Sequence, residues 1–293
     1  MVSEMNKDDF FSRYRSLLFS LAYRMLSSVQ DAEDVVQEAY VRWLQSAQEE
    51  VRSPKDYLCA TVTRLCIDHL RSARVRRETY FGMWLPEPLV NEAGADPGNL
   101  MMGETVHTAF LMLLERLSPV ERAVFLLRDV FDYDYHDIAA FVEKGEANCR
   151  QIARRARQQL GQNRARFDVP PDHVEELTSK FLDACSTGEM GTLLRVLAPD
   201  VTLLPDGGGK ARSAINPIYG SDRVARFMLG IQRKPGPIRL AFAEVNGLPG
   251  LLRYVGERLQ SVISFEVEDG QIRRIFMVSN PDKLPASLRP GVH

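Results

Sequence analysis

The sequence predicts a multidomain fold in which two all-α helical domains, the second carrying a helix-turn-helix, precede an α+β domain. Three observations carry this. Apolar residues recur at helical spacing from residue 8 to about 166, interrupted by a Pro- and Gly-rich break at 82–99. Beyond residue 238 the apolar runs shorten and take on strand character. These runs are punctuated by Asn246-Gly247 and Asp269-Gly270, dipeptides suited to hairpin turns because both turn positions need positive φ. The length of 293 residues also exceeds a single domain of about 150 residues.

Taken in order, Phe10, Tyr14, Leu17, Leu18, Leu21 and Met25 share one helical face. Val35, Val36, Ala39, Tyr40 and Trp43 share another, with Asp31 and Asp34 read as a helix N-cap and its third position. Ser53-Pro54 opens the next helix, since proline at the first helical position gives up an N–H that has no partner anyway. Pro86, Pro88, Gly94, Pro97 and Gly98 make 81–103 a linker. Helix resumes near Glu104, and Ser118-Pro119-Val120-Glu121 combines a capping box with a first-turn proline. A second linker runs from Arg166 to Pro171. Helical patterns follow near 172–187 and 189–197, then strands at Ile238–Val245, Leu251–Val255, Leu259–Glu266 and Ile272–Val278.

A composition with 45% hydrophobic and 26% charged residues excludes a wholly disordered or fibrous chain. Cys59, Cys66, Cys149 and Cys185 form no C-x-x-C pair, so buried thiols are expected rather than a zinc site or disulfides. No cofactor motif or metal-ligand cluster stands out. The first residues lack a basic segment followed by an apolar one, and no run approaches the ~18 apolar residues of a membrane span. A cytoplasmic protein is expected.

The net charge of −2 argues weakly against nucleic acid, but it is an average over opposed segments. Thr61–Arg77 holds five arginines against one Asp, Glu146–Arg166 six against one Glu, and Asp31–Glu50 six acids against one Arg. Between Tyr135 and Leu160 a short amphipathic helix, a Gly-containing connection and a longer helix follow one another. In the longer helix Cys149, Ile152, Ala153, Ala156 and Leu160 form an inward stripe, leaving Asn148, Arg150, Gln151, Arg154, Arg155 and Arg157 outside. That is the layout a helix-turn-helix needs to address base edges and phosphates in the major groove, although a solvated basic helix would share the composition. Arg64, Arg71, Arg74, Arg76 and Arg77 alternate with Leu65, Ile67 and Leu70, flanked by Tyr57 and Tyr80. Phosphate neutralisation beside aromatic rings suits a single or melted strand. The acidic helix, with Asp31, Glu33, Asp34, Gln37 and Glu38, suits a basic protein surface, or is simply a polar face.

In family order, DAEDVVQEAYVRW, SPKDYLCATVTRLCIDHLRSARVRRE and LSPVERAVFLLRDVFDYDYHDIAAFVEKGEANCRQIARRARQQL resemble an extracytoplasmic-function (group IV) RNA polymerase sigma factor. The resemblance implies region two over 1–80, gripping core RNA polymerase and the −10 element, a linker over 81–103, and region four over 104–166, reading the −35 element. It implies that Asp31, Glu33, Asp34, Gln37 and Glu38 meet the polymerase. Arg64, Arg71, Arg74, Arg76 and Arg77 then serve the −10 region, and Asn148, Arg150, Gln151, Arg154 and Arg155 the −35 element. Three further strings resemble the subgroup with a fused SnoaL-like domain, here over 172–284 with a curved, mostly antiparallel sheet. They are Trp84-Leu85-Pro86-Glu87-Pro88, Asp206-Gly207-Gly208-Gly209-Lys210 and Asn280-Pro281-Asp282-Lys283-Leu284. The implied role of Trp84, Leu85, Pro86, Asp206, Gly207, Gly208, Gly209, Lys210, Asn280, Pro281, Asp282 and Lys283 is regulatory contact between domains. The fused domain would replace a separate anti-sigma factor, both restraining and supporting activity. Lys210 stands where Arg is also common, which keeps the charge and loses the bidentate fork.

After residue 167 the only histidines are His173 and His293, and acids in the strand runs are few, so catalysis is not expected. A small-molecule ligand of the last domain remains compatible with the sequence. Two other classes stay open at this level: a one-component helix-turn-helix regulator with a ligand-sensing domain, and a SnoaL-type enzyme with a DNA-binding appendage.

Overall fold

A computed structural model describes residues 7–46, 53–78, 80–92, 105–161, 170–211, 213–233 and 236–285, with side chains 73–78 and 92 outside the description. The chain divides into two compact units. Among the described residues, the first holds 7–46, 53–78 and 111–161, and the second 80–92, 105–110 and 170–285.

The helices of the first unit are α1 (Lys7–Leu26), α2 (Val29–Gln45), α3 (Pro54–Glu78), α4 (Thr108–Leu114), α5 (Pro119–Asp129), α6 (Tyr135–Val142) and α7 (Glu146–Leu160), with residues 108–110 of α4 belonging to the second unit. Leu18, Phe19, Leu21, Tyr23, Met25 and Trp43 are buried, and burying each such side chain contributes about 1.5–3 kcal/mol. The N-cap of α2 is Ser28, whose hydroxyl accepts from the Asp31 N–H, so Asp31 occupies the third position and not the cap. The difference is three residues: Ser28 sits in the extended conformation a cap needs, and a serine caps as well as an aspartate. Lys7 closes the other end of α2 by donating to the carbonyls of Trp43, Leu44 and Ser46. The expected capping box at Ser118 and Glu121 starts α5.

The second unit contains β1 (Val90–Glu92), α8 (Pro171–Thr187), α9 (Met190–Val196), β2 (Leu197–Asp206), β3 (Ile218–Tyr219), α10 (Ser221–Gln232), β4 (Ile238–Val245), β5 (Leu248–Val255), β6 (Arg258–Glu268) and β7 (Gln271–Val278). They form one sheet in the order β1-β4-β5-β6-β7-β2-β3, antiparallel except for the parallel pair β2–β7. This is the α+β architecture the SnoaL-like resemblance implies. Asn246-Gly247 and Asp269-Gly270 make the expected tight hairpins, all four residues at positive φ. Helices α8, α9 and α10 cover one sheet face, where Phe181 meets Phe265 edge-on at 5.1 Å.

The segment expected as a linker over 81–103 is structured in its first part. Residues 80–92 belong to the second unit, and β1 pairs with β4 from Val90↔Val245 to Glu92↔Ala243. Leu89 N–H donates to the Asn246 side chain, and Asn246 N–H donates back to the Leu89 carbonyl. Prolines block helix, yet they leave the extended backbone an edge strand requires. Residues 93–103 and, of the linker expected from Arg166 to Pro171, residues 166–169 lie outside the described residues. Pro170 and Pro171 are not linker but the cap and first residue of α8, where a proline gives up no needed N–H.

Candidate nucleic-acid interface

Local sequence sets the helix ends of the helix-turn-helix. Asp134 caps α6 through the Asp137 N–H, and Glu143 ends it in the left-handed region at φ 55°, where Lys144 N–H returns to Ala139. Gly145 then begins α7. The backbone hydrogen bond at its N-cap holds the Asp134 carboxyl below the usual carboxylate range. Cys149, Ile152, Ala153, Ala156 and Leu160 are buried on α7, and Asn148, Arg150, Gln151, Arg154 and Arg155 are exposed, as expected.

Exposure does not make these cations equivalent. Arg150 pairs with Glu146 at 2.9 Å and lies over the Tyr135 ring at 5.0 Å. Arg157 forks onto the Asp129 carboxylate through Nε and Nη2. That hydrogen bond, ahead of the accompanying charge attraction, raises the Arg157 pKa. Arg157 therefore braces α7 against α5 and does not serve the open face. Arg154 and Arg155 make no ion pair or hydrogen bond among the described residues, so their forks stand ready for an external anion.

The other basic helix departs from expectation. Arg64 donates Nη2 to the Ala140 carbonyl at 2.8 Å and Nε to the Phe141 carbonyl at 3.0 Å, and pairs with Glu143 at 3.2 Å. It thus closes the C-terminal end of α6, where free carbonyls and the negative end of the dipole favour a cation. Arg71 pairs with Asp68 on its own helix. Arg74, Arg76 and Arg77 lie in α3, with side chains outside the described residues. Neither flanking ring is free to stack: Tyr57 packs against Trp43 at 5.6 Å, and Tyr80 donates its hydroxyl to Asp206 at 2.5 Å.

The first unit also holds a buried ion pair that the sequence did not announce. Arg122, 2% exposed, donates to the Met25 carbonyl and to Glu115, which accepts a further bond from Ser27. Arg122 and Glu115 are seven residues apart across the turn between α4 and α5, and their partners Met25 and Ser27 lie 97 and 88 positions away, so no local pattern signals the cluster. On the acidic helix, Asp34, Gln37 and Glu38 are exposed, Glu38 pairing with Arg42 one turn on at 2.8 Å, while Asp31 pairs with His69 and Glu33 with Arg15.

The three strings of the SnoaL-like resemblance converge within the second unit on one buried carboxylate. Asp206, fully buried at the end of β2, accepts from the Tyr80 hydroxyl, from the Leu85 N–H at 2.9 Å and from Lys283 Nζ at 2.8 Å. Lys283 also donates to the Leu85 carbonyl and sits over the Trp84 ring at 4.2 Å. Asn280 donates to the Tyr80 oxygen, and its backbone N–H to the Asp206 carbonyl. Burial, then the hydrogen bond to Asp206, raises the Tyr80 pKa, keeping it the donor. Pro86 is buried beside this cluster in sequence, while Pro281 is exposed. Lys210 pairs with Asp282 at the surface. Gly208 is required twice: its φ is +57°, and a Cβ there would lie 2.4 Å from Asn280 Nδ2. Gly207 and Gly209 likewise leave no easy room, with Ser213 at 2.9 Å and Phe81 at 3.3 Å of a built Cβ. The expected contact between domains is therefore a contact within the second unit, because residues 80–92 are part of it.

All four cysteines are free and buried. Burial pushes the Cys59 thiol up to about 11 and the Cys185 thiol up to about 12. Among the described residues no group of acidic, His or Cys side chains is arranged to hold a metal, and no helix is long and apolar enough to cross a membrane.

Comparison with known proteins reproduces the two helical assignments. Sigma-70 region 2 matches residues 10–76, and Sigma-70, region 4 matches residues 107–160. The chain is 37% identical to the ECF RNA polymerase sigma factor SigJ of Mycobacterium tuberculosis, covering 94% of this chain and 93% of that one. It is 34% identical to the probable ECF RNA polymerase sigma factor SigI of the same organism, over 95% and 96%. The crystal structure of the Mycobacterium tuberculosis SigJ matches with a TM-score of 0.77 at 34% identity, over 96% of this chain and 98% of that chain.

Proposed function

Because the chain belongs to the extracytoplasmic-function RNA polymerase sigma factors, we propose that it directs core RNA polymerase to promoters through α7 and the acidic face of α2, under control of its own C-terminal α+β domain. The observation that carries the DNA assignment is the exposed, unpaired fork of Arg154 and Arg155 on a helix whose opposite face is buried. Asn148 and Gln151 flank it as base readers, and Arg150 joins them by leaving Glu146 when a phosphate or guanine competes. On α2 the exposed Asp34, Gln37 and Glu38 supply the polymerase contact, with Asp31 and Glu33 at its margin.

Arg64 gives the regulatory reading a physical form. A guanidinium that caps α6 cannot also neutralise a −10 phosphate, so promoter binding by α3 requires this cap to be released. Arg71, paired only with a neighbouring exposed acid, is available without such a cost, and Arg74, Arg76 and Arg77 extend the same helix. The domain division proposed is region two over 1–80 and region four over 104–166, with the regulatory domain over 172–284 joined by residues 80–92.

A one-component regulator is not favoured, since an operator-binding helix-turn-helix has no use for a whole region two. The C-terminal domain is proposed as non-catalytic, with no cofactor. No separate anti-sigma factor is required in this scheme, and the site of action is the cytoplasm, where the polymerase resides.

The test is transcription with purified core polymerase on DNA from the source genome, with transcript ends mapped after overexpression to define the motif. A promoter-dependent transcript is expected, and its absence with both the full chain and a version ending at residue 161 would overturn the assignment. For regulation, changing Asp206–Lys210 should alter transcript yield, and deleting the domain need not shift it in the same direction. Unchanged yield in both removes the regulatory reading. A requirement for any further protein to restrain activity removes the proposal that the fused domain suffices.

A further inference from the structure

In the second unit the helix-covered face of the sheet is apolar along Leu251, Ile263 and Met277, which are partners across β5, β6 and β7. Two residues along the same face, by the period-two alternation of strands, the side chains are Arg253, Ser261 and Ser279. The face therefore changes from core to polar in one step, and a cavity of about 380 Å³ opens there. Its other walls are Phe227 and Ile231 of α10, with Ala211 and Ala214 from the loop after the glycine string. The volume lies within the range of small-molecule sites, about 300–1,000 Å³.

Arg253 is the unusual group. It is 7% exposed and donates Nη2 to the Ile231 carbonyl at 2.9 Å, but its buried Nε has no hydrogen-bond partner. Among the described residues no carboxylate pairs with it. Arg122, the comparable buried arginine of the first unit, shares the unpartnered Nε but has Glu115 as its counter-charge, so the missing acid is what sets Arg253 apart. An arginine stays protonated under ordinary conditions, so a buried fork without an anion is an incomplete ion pair. Burial, with no acid to oppose it, pulls the Arg253 pKa below its usual value. The hydroxyls of Ser261 and Ser279, 2.9 Å apart, bond to each other at the same end of the cavity and can turn to a ligand.

We propose that this cavity is a binding site for a small organic carboxylate, its charged end on Arg253 with Ser261 and Ser279, and its apolar body against Phe227, Ile231 and Met277. A planar carboxylate matches the guanidinium fork, and the apolar wall excludes a bare inorganic anion as the best-fitting occupant. The ligand completes the ion pair that the chain leaves open. Binding is a property of the cavity and does not depend on the transcriptional reading, so the two can fail separately.

The experiment is calorimetric titration of the full chain with benzoate, phenylacetate and hexanoate, each against its neutral carboxamide and against inorganic phosphate. Saturable binding of at least one carboxylate at millimolar concentration or below is expected, with the matched carboxamide weaker by about tenfold or more. Arg253→Met should abolish the preference for the carboxylate, while its circular dichroism and melting temperature without ligand stay at or above those of the parent. Ser261→Ala should weaken the carboxylate while leaving it ahead of the carboxamide. The carboxylate-to-carboxamide ratio is measured on the unaltered chain, so the test survives a variant that does not fold. No carboxylate binding, equal affinity for acid and amide, phosphate binding as tight as the best carboxylate, or undiminished binding to Arg253→Met would each overturn the proposal.

Discussion

The α7 face of the first unit and the interior of the second handle charge in opposite ways, although the first unit also buries Arg122 beside Glu115. In the first, cations on α7 are spread over a surface, held by local pairs such as Arg150–Glu146 or left open at Arg154 and Arg155. In the second, the decisive charges are inside: Asp206 and Lys283 are joined in a buried pair satisfied by backbone and tyrosine, and Arg253 is buried with one nitrogen unanswered. Surface charge adds little to folding because water already solvates it, and it remains available to a partner. Buried charge must be answered within the fold, so it ties distant segments together. The first arrangement suits recognition, and the second suits holding residues 80–92 against the sheet.

The sharpest way to break this contrast is Asp206→Ala. It leaves Lys283 buried without its counter-charge and removes the acceptor for Tyr80 and Leu85, so a stability loss of about 3–5 kcal/mol is expected in denaturant unfolding. A loss below about 1 kcal/mol would mean the cluster is solvated like a surface pair. Next in size is Gly208→Ala, which sets a side chain at positive φ against Asn280 and should cost about 1–3 kcal/mol in the same assay. Arg154→Ala is the mirror case. Its melting curve should stay within about 0.5 kcal/mol of the parent. Promoter-dependent transcription by the reconstituted holoenzyme should fall by the equivalent of about 1–3 kcal/mol.

Arg64→Ala separates the two basic helices. Its half-exposed side chain should contribute less than about 1 kcal/mol to stability, and the variant should show faster hydrogen exchange at the C-terminal end of α6. The smallest effect is chemical. Cys59 and Cys185, with thiols near 11 and 12, should resist iodoacetamide at neutral pH in the folded chain and react only on unfolding. Labelling of either in the native state would show that its part of the core opens.

Legibility followed the range of the interaction. The strands Ile238–Val245 and Ile272–Val278, both hairpin turns and the in/out division of α7 were readable because each depends on residues close in sequence. The N-cap of α2 was misplaced by three residues, since Ser28 and Asp31 are both good caps and only backbone geometry separates them. Strands β1, β2 and β3 and helix α10 were not anticipated, β1 because Pro86 and Pro88 just before it read as linker. An inward-facing arginine between Leu251 and Tyr254 was a visible anomaly in a strand, and it was the available signal for the cavity.

By itself the sequence determined the helix-turn-helix, its arginine face and the three strings that mark the C-terminal domain, since period, capping and turn chemistry are local. Only tertiary structure decided which charges meet. Arg64 with α6, Arg122 with Glu115 and Met25, Asp206 with Tyr80 and Lys283, and Arg253 with no acid are separated by anything from seven to well over a hundred residues where they pair. A charge carries no address in its own residue type. It acquires a partner, or lacks one, when folding removes the water that would otherwise answer it.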